Sequence, residues 1–125
     1  MSQIRKYKIS GTIAAGATTA TAYSVPIRGR ILAVNVSYPT NTCTVDLDSD
    51  GEYSAQKVLD LAAANTDVTY YPRTPVCINT GAETIIYNTA MKVYEPFVVY
   101  GRIKMSIAAG TATETVSVTI IVEED

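Results

Sequence analysis

Residues 103–122 read IKMSIAAGTATETVSVTIIV. Ile103, Met105 and Ile107 alternate with Lys104 and Ser106, and Val116, Val118, Ile120 and Val122 alternate with Ser117 and Thr119. A period of two places the apolar members of each run on one face of an extended chain, so both runs read as half-buried β-strands. Between them Ala109-Gly110-Thr111-Ala112-Thr113-Glu114 supplies a Gly and small polar residues, a connection longer than a two-residue turn. The two runs are expected to form a hairpin with one face in the core.

The same pattern recurs upstream. In residues 30–38, Leu32, Val34, Val36 and Tyr38 fall on one face, and Pro39 ends the run because it cannot donate to a ladder. Residues 42–48 place Cys43, Val45 and Leu47 inward before an Asp50-Gly51 turn, which predicts an antiparallel neighbour of the preceding strand. Residues 57–61 and 68–71 read as further strands, although SAQKVLDLAAA at 54–64 has good helix formers and a short helix is the alternative. Pro72, Pro75 and Pro96 divide the middle of the chain into short strands at 76–78, 84–87, 91–94 and 97–100. Seventeen Thr and nine Tyr among many Val and Ile fit pleated surfaces. The fold class is all-β: one domain over residues 1–125, an antiparallel β-sandwich or jelly-roll-like barrel of about eight strands with little or no helix. Residues 1–26 form an N-terminal arm or an edge strand.

The 125 residues are 47% hydrophobic and 18% charged, sufficient for a folded core, and no apolar run reaches the roughly 18–20 residues of a membrane-spanning helix. The first residues lack the apolar stretch of a signal peptide, so synthesis in a cytoplasm is expected. There is no His and no Trp. Without imidazole the chain cannot supply a Ser-His-Asp triad, a Cys-His pair or a His-containing zinc site, and no Gly-rich run resembles a phosphate loop. Twelve Asp and Glu guarantee accidental carboxylate pairs, none with an evident reason for a raised pKa, so the chain reads as no enzyme and as needing no cofactor. Cys43 and Cys77 read as small buried apolar residues, with a disulfide as the alternative.

Asp46-Leu47-Asp48-Ser49-Asp50-Gly51 opens like a calcium loop, but the twelfth position is Lys57 where a bidentate Glu belongs. Asp46, Asp48 and Asp50 are therefore weak metal candidates beside the simpler reading of a strand and turn. Residues 1–45 hold five bases, Arg5, Lys6, Lys8, Arg28 and Arg30, and no acid; residues 46–125 hold five bases and twelve acids. These five bases, with Tyr70, Tyr71 and Arg73, are the interface candidates, because Tyr and Arg bury a large area with few rotors and keep a polar handle. Five bases on an acidic chain make a poor nucleic-acid footprint.

Four stretches carry a family likeness: Gly29-Arg30-Ile31-Leu32-Ala33-Val34; Thr66-Asp67 leading to Tyr70-Tyr71-Pro72-Arg73; Tyr94-Glu95-Pro96-Phe97-Val98-Val99; and Ile103-x-Met105-x-Ile107-Ala108 with Val116-x-Val118-Thr119-Ile120. Over about residues 27–122 the chain resembles small all-β virion proteins of tailed bacteriophages, of the capsid auxiliary, decoration or cement kind. Cys43, Cys77 and the acidic run from Asp46 to Asp50 fall outside that pattern. The resemblance implies a virion protein that binds the major capsid protein or another virion protein, reinforces the shell and self-associates, as a trimer by preference. A neck, tail or fibre component is the alternative, as is a carbohydrate-binding β-sandwich using Tyr70 or Tyr71. Residues 1–30 are expected to contact the neighbour, since unpaired strand edges add readily to another chain.

Overall fold

The computed structural model of the chain describes residues 3–50, 56–75 and 94–124. Among them are nine strands and no helix: β1 (Gln3–Thr12), β2 (Ala20–Tyr23), β3 (Ile27–Ser37), β4 (Thr44–Asp50), β5 (Gln56–Asp60), β6 (Val68–Tyr70), β7 (Arg73–Pro75), β8 (Tyr94–Ala108) and β9 (Thr115–Glu124). All pairings are antiparallel, in the order β1-β9-β3-β8-β4-β5, with β2 and β7 added on β8 and β6 on β3. Among the described residues the sheet does not close into a barrel; it folds over on itself in a β-sandwich-like arrangement.

The fold turns on β8. Its first half, Phe97 to Gly101, pairs with β3. Its second half, Arg102 to Ala108, pairs with β4 on one side and partly with β2 on the other. The change of partner falls at Gly101, whose φ of 131° is closed to most other residues and lets the strand bend from one layer to the next. Phe97, Val99, Ile103, Met105 and Ile107 stay on one face throughout and line the core. They meet Val116, Val118, Ile120 and Val122 of β9, Ile9 of β1, Ile27, Ile31, Val34 and Val36 of β3, and Val45 and Leu47 of β4 in a single cluster. Each fully buried aliphatic side chain of this kind contributes roughly 1.5–3 kcal/mol. Gly11 marks how closely the layers approach, since a Cβ there would lie 3.0 Å from Ile107 Cδ1 and 3.1 Å from Met105 Cε.

Five local expectations are corrected. Residues 103–107 and 116–122 do not form a hairpin: β9 pairs with β1 and β3, and the connection after Ala108 crosses between layers. Facing layers bury both apolar faces against each other, which a flat hairpin would not. The strands at 30–38 and 42–48 are likewise not neighbours, because β8 separates β3 from β4. Within β3 the inward residue is Ile31 rather than Leu32: the register with β9 slips between Ile31 and Ala33, and this bulge shifts the alternation by one. The strand at 97–100 is not separate, since Tyr94–Ala108 runs unbroken through Pro96, which lies where the partner changes from β7 to β3. The helix alternative at 54–64 is also overturned, as residues 56–60 form β5 with Val58 buried. The strands expected at 76–78 and 84–87, most of the one at 91–94, and Cys77 lie outside the described residues. No helix among those described is long and apolar enough to cross a membrane.

Candidate functional site

β9 lies between β1 and β3, so the acidic C-terminal strand is bracketed by the two basic N-terminal ones. Arg5 Nε lies 3.1 Å from Glu124 Oε2, and Arg30 Nε lies 3.9 Å from Glu123 Oε1. Tyr7 donates to Glu124, and that hydrogen bond to a carboxylate is the main reason its phenol pKa is raised. Two of the five N-terminal bases thereby pair with acids of the C-terminal strand. Lys6 and Lys8 stand exposed on β1, which is paired only with β9 among the described residues.

Across β9, β3 and β8 the outward side chains form a surface of mixed chemistry. Arg28 is directly opposite Tyr100 and its guanidinium carbon sits 4.5 Å above the ring centroid. Arg30 is directly opposite Val98 on one side and Glu123 on the other. Val98 is 64% exposed and Tyr100 73%, and Tyr94 on the same strand face is 55% exposed. A groove of about 630 Å³ runs between Tyr100 and Val98 and the pair Glu123 and Glu124, with Pro26, Arg28, Gly29 and Arg30 along it. Only glycine fits at its centre, because a Cβ on Gly29 would lie 2.2 Å from the Glu123 carbonyl oxygen. Further along β8, Arg102 stacks 4.0 Å over the Tyr23 ring and its Nε donates to Asp50 at 2.7 Å.

The structure separates the other sequence candidates. Tyr70 is half-buried and packs on the core, opposite Val34. Tyr71 is 64% exposed, and Arg73 donates to the Pro72 carbonyl at 2.7 Å. The acidic run faces cations: Lys57 Nζ lies 3.7 Å from Asp46 and 3.3 Å from Asp48, and Asp50 is held by Arg102. Burial first, and the Asp60 carboxyl opposite it second, raise the Asp46 pKa. Among the described residues no group of three or more Cys, Asp or Glu converges as metal ligands would. Burial raises the Cys43 thiol pKa, as suits a fully buried small side chain.

Val98 and Glu123 are the surface residues missed from sequence; Tyr94 and Tyr100 belong to the tyrosines that suggest recognition from sequence. In residues 96–100 both faces of the strand are apolar or aromatic, so alternation could not show which set stays outside. Comparison with known proteins finds no matching family model, no matching curated protein and no matching solved structure.

Proposed function

We propose that this chain is a non-enzymatic structural protein that works by binding other protein, as a head decoration or cement protein of a tailed-phage virion that self-associates on the shell. The carrying observation is the exposed row Tyr94, Val98 and Tyr100 on one strand face, with Arg28 stacked on Tyr100. Apolar and aromatic groups left in water beside planar cations have the composition of interface anchors, which lose little conformational entropy when covered. The sequence resemblance supports the virion setting, and this surface supports the protein-binding role.

The test is cosedimentation with emptied heads of the phage that encodes the chain, beside light scattering of the chain alone. The expected result is a self-associated chain that pellets with heads, and loses that binding in a Tyr100→Ala, Val98→Ser variant of unchanged circular dichroism. A chain that stays in the supernatant overturns the reading. Retention instead on a glycan array, lost in Tyr71→Ala, would favour a carbohydrate-binding module.

A further inference from the structure

One row of the outer face has a symmetry of its own. Ile4 on β1 is opposite Glu123 on β9, Glu123 is opposite Arg30 on β3, and Arg30 is opposite Val98 on β8. Four adjacent strands thus present, at one height, an apolar residue, an anion, a cation and an apolar residue. All four side chains reach solvent; Ile4 is 58% exposed, and the Arg30 side chain 59%. The intramolecular Arg30–Glu123 contact, at 3.9 Å, is long enough to leave both groups available to another partner.

We infer that this row is the contact for a second copy of this chain, resting on the reading of the protein as a self-associating one. Place a two-fold axis in the interface plane, parallel to the strands and midway between β3 and β9. Rotation about it keeps every residue at its own height and exchanges the two sides of the row. Each copy's Arg30 then faces the other's Glu123, and each Val98 faces the other's Ile4. The row is self-complementary, which is the requirement of an isologous two-fold contact. A partner of uniform charge would meet repulsion from Arg30 or from Glu123, whereas a second copy satisfies both.

Charge exchange between two separately purified variants tests this. In Arg30→Glu both contacts of the pair become anion against anion, and in Glu123→Arg both become cation against cation. When the two variants are mixed, both contacts are again opposite in sign. By light scattering the parent is expected at about twice the 13.4 kDa chain mass, each variant alone at the chain mass, and the equimolar mixture at twice it again. Val98→Asp, exposed and so without a folding cost, should give the chain mass with or without a mixing partner. A parent whose mass responds to neither single reversal, or a mixture that stays at chain mass, overturns the inference. A trimer insensitive to these changes overturns it while leaving self-association intact; a parent that is a monomer at every concentration overturns both.

Discussion

Arg28 and Tyr100, 72 residues apart in the chain, are directly opposite in the β3–β8 ladder and stacked, with the guanidinium carbon 4.5 Å from the ring centroid. The Arg28 guanidinium also donates to the phenol oxygen. The stack fixes two long exposed side chains in one geometry and so presents a flat, preorganised surface. Its coupling energy should be about 0.5–1 kcal/mol, as for exposed cation–π pairs. A double-mutant cycle of Arg28→Ala and Tyr100→Ala by urea unfolding measures it, and strictly additive single effects would show that the two side chains are independent.

Gly29 has φ of 143° and no room for a Cβ beside the Glu123 carbonyl, whereas Gly16, with φ of 79°, has open space around its missing Cβ. Gly29→Ala should therefore lose more stability than Gly16→Ala, by about 1–3 kcal/mol, because steric overlap with backbone adds to the conformational cost that both share. Thermal or urea denaturation of the two variants compares them directly. Equal losses would mean that β9 yields at that point.

Among the described residues the hydroxyl of Tyr38 is buried without a hydrogen-bond partner, and burial, with Tyr70 close by, pushes its pKa from 10.0 up to about 12. Because the folded state holds this proton more tightly than the unfolded chain, the stability it carries is complete below pH 10 and is lost as pH rises from about 10 to about 12. Tyr38→Phe removes an unsatisfied polar atom, so it should match or exceed the parent at pH 7, and it should show a shallower loss between pH 10 and 12. Urea midpoints against pH read both effects. A marked loss at pH 7 would reveal a hydrogen bond to that hydroxyl.

Asp46 is raised above its ordinary carboxylate value of 3.8, by burial first, so it too binds its proton more tightly when folded. The stabilisation is fully present below pH 3.8 and is lost as pH rises through the folded-state pKa. Asp46→Asn should flatten that part of the stability profile and leave the protein at least as stable at pH 7. A variant that is destabilised at pH 7 would show that the contact with Lys57 outweighs the burial of the charge.

The inward faces of β4 and β9 were legible in the sequence, because Val45 and Leu47, and Val116, Val118 and Ile120, alternate with polar residues and are buried as that alternation requires. The site was legible only in part. Arg28 and Arg30 stood out as bases in a segment with no acid, but their partners Tyr100, Val98 and Glu123 lie on strands more than sixty residues away. Tyr70, an interface candidate from sequence, is half-buried and packs against the core.

Taken alone, the sequence determined that the chain is all-β, which face of each cleanly alternating strand is buried, and that imidazole chemistry is unavailable to it. Those properties follow from local periodicity and from composition. The tertiary structure decided which strands are neighbours: β9 between β1 and β3, and β8 bent at Gly101 to serve both layers. Backbone ladders use the same N–H and C=O groups whatever the side chains, so no local signal names a strand's partner. The choice falls to the packing that buries all the apolar faces together, and that packing sets Ile4, Glu123, Arg30 and Val98 in one row.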